Sequence, residues 1–273
     1  MRQVEAPYYV LLNSDVEVSA DWLDSIIAEM EEDPTIAACQ PKVLAYHNKS
    51  HFEHAGAAGG YMDTLGYPLC RGRIMDTCEE DKGQYNAKEE IFWATGAAMV
   101  IRSECYHAVG GLDADYFAHM EEIDLCWRLK KAGYKIMAQP AAVVYHVGGG
   151  TLSYQSPRKT YLNFRNSLST IFKNESVGKL CWLIPTRLVL DGLAGAMFLS
   201  KGQFANIWQI IRAHFSFYGS LPSLLKKRKA YGQLIERTRI APINKKGQFS
   251  FSMIWKYYGK GKRTYGELTG EER

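Results

Sequence analysis

The stretch from Gly110 to His146 constrains this chain most, because its pattern changes from turn to helix to strand. Gly110–Gly111 mark a turn, since glycine takes positive φ at no steric cost. Three neighbouring acids, Glu121, Glu122 and Asp124, then open a segment of helical character through Leu125, Trp127 and Leu129. Gly133 closes it as a C-cap, with Lys130 and Lys131 in the last turn. The positive end of the helix dipole thus lies beside the acids. Capping alone accounts for such acids in most proteins. From Tyr134 to Tyr145 a weakly alternating strand, broken by Pro140, delivers His146, followed by Val147 and the glycines 148–150.

A second pair of carboxylates lies far upstream. Tyr8-Tyr9-Val10-Leu11-Leu12 is a short apolar run rich in β-formers, which reads as a buried strand. It ends in Asn13-Ser14-Asp15-Val16-Glu17. In open α/β sheets the ligand site lies beyond the carboxyl ends of the strands. Asp15 and Glu17 are two residues apart, so in extended chain both project to one side. Two hard oxygen ligands suit Mg²⁺ or Mn²⁺ carrying a diphosphate. The plainer alternative is that Asp15 or Ser19 caps a helix beginning near Trp22.

Leu11–Val18, reading LLNSDVEV, resembles the Asp-x-Asp metal motif of family 2 glycosyltransferases with the GT-A fold, closest to the rhamnosyltransferase-like subgroup. The resemblance continues through WATGAAMVIRSECYHAVGGLDADYFAHMEEIDLCWRLKKAGYKI and PAAVVYHVGGGTLSY, covers roughly residues 8 to 175, and keeps motif order and spacing. It implies an α/β fold: a partial GT-A, Rossmann-like mixed sheet with flanking helices. It also implies an inverting transfer from a nucleotide-diphosphate sugar to a glycan or lipid-linked acceptor. Asp15, Glu17 and His146 would hold Mn²⁺ or Mg²⁺. Glu122 would be the general base, supported by Glu121 and Asp124. Trp93, Gly96, Ala97 and Arg165 would bind substrate, Gly96 and Ala97 being small where the sugar approaches the backbone. Arg158 and Lys159 could join Arg165 on the diphosphate, although a solvated basic face also explains them. The family usually has Asp at the Glu122 position, and the extra methylene puts acceptor geometry and rate in doubt. The Gln-x-x-Arg-Trp motif of processive synthases is absent, which weighs against polymerisation.

Two regions are expected: residues 1–175 as the glycosyltransferase core and 176–273 as an amphipathic helical region with a basic, aromatic tail. Within the core, Ala20–Glu32 reads as an amphipathic helix and Ile36–Leu44 as a strand. Tyr46–Glu90 reads as a long Gly-rich irregular loop, and loops of that length are usually functional. His47, His51 and His54 in it have the spacing of a zinc site on a helix, but their neighbours are poor helix formers. Cys70 and Cys78 are candidates for a loop disulfide, while six cysteines without a metal spacing point to reduced thiols in a cytosol. Pro157–Lys173 reads as a helix.

Charge divides the chain. Residues 1–200 carry 18 Lys and Arg against 25 Asp and Glu, a net −7, whereas residues 201–273 carry 15 against 4, a net +11. A basic tail of that kind meets an anionic partner. Leu180–Ser200 is strongly apolar but interrupted by Pro185, Arg187 and Asp191, which argues against a spanning helix. Ala205–Tyr218, Lys226–Lys229, and the tail aromatics Phe249, Phe251, Trp255, Tyr257 and Tyr258 with their lysines fit helices lying in a membrane interface. No nucleic-acid motif accompanies them. The expected location is cytoplasmic, peripheral on the inner face of the cell membrane.

Only one strand precedes Asp15, so the nucleotide-binding half of such an enzyme is expected to be missing. A homo-oligomer or a partner would then supply it, and donor binding by the chain alone would be weak. The competing reading is a truncated, non-catalytic, membrane-associated binding or scaffold protein. A metal-dependent phosphatase using Asp15 is a third. If the metal reading holds, Asp15, Glu17 and His146 converge to within about 4–7 Å of one point in the folded chain.

Overall fold

The computed structural model describes residues 5–148 and 156–271. In chain order the strands and helices begin with β1 (Tyr8–Leu12), β2 (Val16–Val18), α1 (Asp24–Glu32), β3 (Ile36–Ala45) and β4 (Asn48–Phe52). Five short strands follow, β5 (Gly60–Met62), β6 (Pro68–Cys70), β7 (Arg73–Ile74), β8 (Thr77–Cys78) and β9 (Glu89–Glu90). Next come β10 (Ala98–Arg102), α2 (Ser103–Ala108), a 3₁₀ turn at Ala114–Tyr116, α3 (Glu121–Lys131) and β11 (Lys135–His146). The helices α4 (Pro157–Asn174), α5 (Val177–Ser200) and α6 (Phe204–Thr238), a π-helical turn at Trp255–Gly259 and α7 (Tyr265–Thr269) complete the list.

A seven-stranded mixed sheet runs β1-β10-β3-β11-β2, with β4 added to β3 and β9 to β11. Only β3 and β11 are parallel; every other pair in this sheet is antiparallel. β3 is buried through Leu44 because it has a strand on each side and apolar layers on both faces. On one face Ile26 and Met30 of α1 pack against Cys39, Val43, Val100 and Val144. On the other, Ile123 and Trp127 of α3 join Ala38, Met99, Ile101 and Ile136. Each large aliphatic side chain buried this way contributes roughly 1.5–3 kcal/mol.

Several expectations change. β1 is an edge strand, paired to β10 alone, and it leaves Val10 and Leu12 exposed. An apolar run of five residues looks the same in the middle of a sheet and at its edge. The 46–90 region is not irregular: it carries β4 to β9, and β5–β8 form a second, four-stranded sheet. Strands of two to five residues are too short to show a period, and glycines at positive φ (Gly56, Gly59, Gly66, Gly72) separate them. Cys70 and Cys78 are free thiols. Pro140 does not break β11; it sits at a register shift against β3 between Gln139 and Val143.

The C-terminal third is not one helical unit. α6 packs on α4 through Phe217 and Leu224 against Leu168 and Phe172. The chain beyond it returns to the sheet domain. Phe249 donates its N–H to Met62 O at 2.8 Å, and Met253, Tyr257, Tyr265 and Leu268 are buried in the main core. Of the tail aromatics expected at a membrane, only Trp255 and Tyr258 remain exposed.

A buried charge network ties α3 to α4. Asp124 accepts from Arg128 at 2.9 and 3.0 Å and from Asn174 at 2.7 Å, and lies 3.1 Å from Lys173. Lys173 also reaches Asp113 at 2.6 Å. Burial pushes the Asp113 carboxyl up, but Lys173 and Lys227 overcome it and hold it at about 2. Removing the shared cation leaves two buried carboxylates short of a partner, so Lys173→Met is expected to cost about 3–5 kcal/mol in a chemical denaturation experiment. A loss under about 1 kcal/mol would mean the network is dispensable.

Candidate functional site

β2 pairs with the end of β11, setting Val16 opposite His146, and Val147 donates its N–H to Asp15 O at 3.0 Å. This places the Asp15 carboxylate 3.3 Å from His146 Nε2. On the other side of the imidazole, Glu53 Oε2 lies 3.1 Å from Nδ1. All three are largely buried. Neither imidazole nitrogen completes a hydrogen bond of good geometry. Burial pushes the His146 pKa down, yet the Glu53 and Asp15 carboxylates outweigh it and raise it.

The second half of the site is the start of α3. Phe117, His119 and Met120 all take positive φ, at 66°, 67° and 74°. Left-handed backbone costs a non-glycine residue roughly 1–2 kcal/mol, so something must hold this turn. Asn166 of α4 does so: its amide donates to Tyr116 O at 3.1 Å and to Ala118 O and His119 O at 2.8 Å. Arg165 adds bonds to Asp115 O at 2.9 Å and Tyr116 O at 3.0 Å. The turn delivers Glu121 and Glu122 to the helix start. One carboxylate oxygen of each, and His119 Nε2, are buried with no hydrogen-bond partner. Burial, then the neighbouring Glu121 charge, pushes Glu122 up to about 8. His119 is held at about 4 by burial and by Lys159, so it is neutral near pH 7.

A short strap joins the halves. Asn13 donates its N–H to Ala97 O at 3.0 Å. Adjacent Gly96 has no side chain, and a Cβ there would stand 3.6 Å from the Glu122 Cβ. The strap is fixed from below by Gln40, whose side chain accepts from Thr95 N at 2.9 Å and donates to Gly56 O at 3.3 Å. Gly96 and Ala97 thus lie on a strap between the two acidic groups.

Four candidates lie elsewhere. Glu17 faces the Tyr145 side of β2, opposite His146, and pairs with Lys49 at 2.6 Å. Asp15 is in a turn, so the two-residue alternation does not carry from one acid to the other. Asp124 is consumed by the Arg128–Lys173–Asn174 network and is not beside Glu122, because residues two apart on a helix point to different sides. Trp93 is a core residue under Gly60, its indole N–H donating to Tyr61 O at 2.8 Å. Arg165 spends its guanidinium on the 115–116 carbonyls and is a positioning residue. Arg158 lies over the Phe117 ring.

The histidine trio does not assemble: His51 bonds Asn48 and Ser50, His54 meets Arg73 at 2.6 Å, and His47 stacks edge-on with Tyr46. No group of three metal-ligating side chains occurs among the described residues. The glycines at 148–150 fall mostly outside them.

Glu53, Asn166, His119 and Asn13 were not singled out from sequence. Glu53 stands inside the His51-Phe52-Glu53-His54 run, where the histidines draw attention away from it. Asn166 follows Arg165 on a helix whose spacing gives no hint of a left-handed turn elsewhere.

Comparison with known proteins shows the family of the chain. Residues 8–259 match the model of glycosyl transferase family group 2. The chain is 28% identical over 143 residues to the pre-mycofactocin glycosyltransferase of Mycobacterium tuberculosis, covering 51% of this chain and 26% of that protein. It is 24% identical over 143 residues to the N-acetylglucosaminyl-diphospho-decaprenol L-rhamnosyltransferase of the same organism, covering 51% of this chain and 46% of that one. The chain therefore spans less than half the length of these curated relatives. A solved structure of GalNAc-T7 with UDP, GalNAc and Mn²⁺ aligns with a TM-score of 0.42 at 13% identity, covering 60% of this chain and 31% of that one.

The Glu122 shift has a consequence for stability. Its carboxyl holds its proton up to about pH 8 in the folded state but releases it near 4.5 when unfolded. Between these values the folded form binds more protons, so this group makes stability fall as pH rises. Glu122→Gln removes the effect. Its melting temperature is expected to equal wild type at pH 4 and to exceed it increasingly from pH 6 to pH 8. A variant no more stable than wild type at pH 8 would show that Glu122 is ionised without strain.

Proposed function

Since the chain belongs to glycosyl transferase family group 2, we propose that it moves a sugar, with inversion, from a nucleotide-diphosphate donor to a hydroxyl of a glycan or lipid-linked acceptor in cell-surface polysaccharide synthesis. The observation that carries this reading is the pairing of two unlike acid sites across one glycine-containing strap: Asp15 with His146, and the buried Glu122, one of whose carboxylate oxygens has no hydrogen-bond partner. The Asp15 oxygen and the His146 Nε2 stand 3.3 Å apart, with Glu53 on the Nδ1 side of the ring, a donor set that suits Mn²⁺ or Mg²⁺. Two protein ligands leave places for diphosphate oxygens and water, as these ions usually require. Such an ion supplies Lewis-acid neutralisation of charge on the leaving diphosphate.

The protein's own groups do the rest. Asp15 and His146 fix the diphosphate end of the donor. Gly96 and Ala97 leave room for the sugar beside the backbone. Glu122 takes the proton of the acceptor hydroxyl as its oxygen bonds the anomeric carbon, while the bond from that carbon to phosphate breaks and its electron pair leaves with the nucleoside diphosphate. A pKa near 8 keeps the base close to working pH, where proton transfer is most effective. Glu53 orients His146 through Nδ1, and Glu121 raises the basicity of its neighbour. We place the enzyme on the cytoplasmic face of the cell membrane, where a lipid-linked acceptor would be met.

Steady-state kinetics with and without divalent metal test the assignment. Glu122→Gln is expected to lower turnover by roughly 10²–10⁴ with donor affinity nearly unchanged, and Glu121→Gln to cost less. Asp15→Asn should instead weaken Mn²⁺ and donor binding together. If Glu121→Gln is the more damaging substitution, the base is Glu121; if neither matters, the reading fails.

A further inference from the structure

α5 is long and apolar enough to cross a membrane by length and composition, and the two charges that interrupt it are both turned inward. Arg187 donates to Leu65 O at 3.2 Å and to Ser167 Oγ at 2.8 Å, and lies 3.8 Å over the Tyr67 ring. Asp191 pairs with His214 of α6 at 3.0 Å. The remaining charge on the helix, Lys179, is half-buried and paired with Glu175. The side chains left facing outward are apolar, with Val189 66% and Leu193 59% exposed. The sequence argument against membrane insertion therefore weakens, because Asp191 is paired within the protein and Arg187 is bonded there through both terminal nitrogens.

α6 repeats the pattern. Its inner side packs on α4 through Phe217 and Leu224. On its other side Phe204, Trp208, Ile211, Phe215 and Tyr218 recur every three or four residues, all exposed, Phe215 at 74%. A helix apolar on both sides is not made for water. The hairpin's charges are mostly of one sign: residues 177–235 hold eight Lys and Arg against the buried Asp191, and Glu236 in the last turn of α6 pairs with Arg239. A second copy of the chain fits poorly, since a two-fold contact would set like charges against each other. An anionic lipid surface supplies both complements, acyl chains for the stripes and phosphates for the bases.

We propose that the α5–α6 hairpin embeds in an anionic lipid bilayer, with Trp182, Val189 and Leu193 of α5 and Trp208, Ile211 and Phe215 of α6 among the acyl chains, and that this surface, not the C-terminal tail, attaches the protein to the membrane. The inference rests on the membrane placement above and gives it an address. Arg187 and Asp191 stay on the protein side, and Lys226 and Lys229 at the far end of α6 meet phosphate headgroups. The tail is committed to the core, as its hydrogen bonds to Met62 and Glu79 attest.

The test is flotation of the full-length chain with phosphatidylglycerol-containing vesicles and with phosphatidylcholine vesicles, without nucleotide sugar. The chain is expected to float with the anionic vesicles, and less well with neutral ones or at high salt. Trp208→Ser with Phe215→Ser should lower the bound fraction at least about tenfold. Val189→Ser with Leu193→Ser, a second exposed pair, should do the same while circular dichroism stays unchanged. Trp255→Ser with Tyr258→Ser on the tail should leave binding intact. Unchanged flotation of both hairpin variants would overturn the proposal. So would loss of binding in the tail variant alone, or a dimer in buffer that the hairpin substitutions dissociate. A chain that floats while Glu122→Gln and Glu121→Gln leave sugar transfer unchanged would sink the glycosyltransferase reading and leave this one standing.

Discussion

The parallel pairing of β3 with β11 is the contact on which the rest depends. It runs from Ile36 opposite Lys135 to Ala45 opposite His146, and Tyr46 closes it by donating its N–H to His146 O at 2.9 Å. Because the strands end together, everything attached to their carboxyl ends is gathered in one place. β2 lies on the free side of β11 and carries Asp15 to His146. The chain leaving β3 turns back through β4 and carries Glu53 to the other nitrogen of the same imidazole. β10, on the far side of β3, brings the Thr95–Ala97 strap to Asn13. Ligand sites beyond the strand ends of an α/β sheet follow from this kind of convergence.

Glu122 is positioned by a different device. A turn with three left-handed non-glycine residues does not hold itself, and α4 grips it with Arg165 and Asn166 while the Asp113–Lys173–Asp124–Arg128 network locks α4 to α3. Buried charge so arranged contributes little net stability but fixes geometry, since removing any one partner strands the others. Strain and orphaned carboxylate oxygens gathered at one helix start are what a site awaiting a charged substrate would retain. The same α4 supports α5 and α6, so the grip on the acidic turn and the apolar hairpin share one helix.

Much of this was legible in the sequence, and the failures have physical causes. The helix from Glu121 to Lys131 and the strand to His146 follow from period and punctuation; the mixed α/β architecture came with the family resemblance, which also singled out Asp15, His146, Gly96 and Glu122. Glu17 failed because alternation was carried through a turn. Asp124 and Arg165 failed because a charged side chain beside a motif looks the same whether it meets substrate or holds the frame. Trp93 failed because burial of a single aromatic depends on a distant glycine, Gly60. The small sheet between residues 60 and 78 was invisible because its strands are shorter than any period. Arg187 and Asp191 misled in the opposite direction: read as interruptions of an apolar helix, they are its inward anchors.

The central claim is that Asp15 and His146 hold a divalent ion while Glu122, across the strap, does not. Diffraction from crystals grown with Mn²⁺ and a nucleoside diphosphate, recorded at the manganese absorption edge, tests it directly. The account predicts one anomalous peak in contact with both the Asp15 carboxylate and His146 Nε2, with the diphosphate on its open side. A peak seated between Glu121 and Glu122, or on Glu17 away from His146, would contradict it.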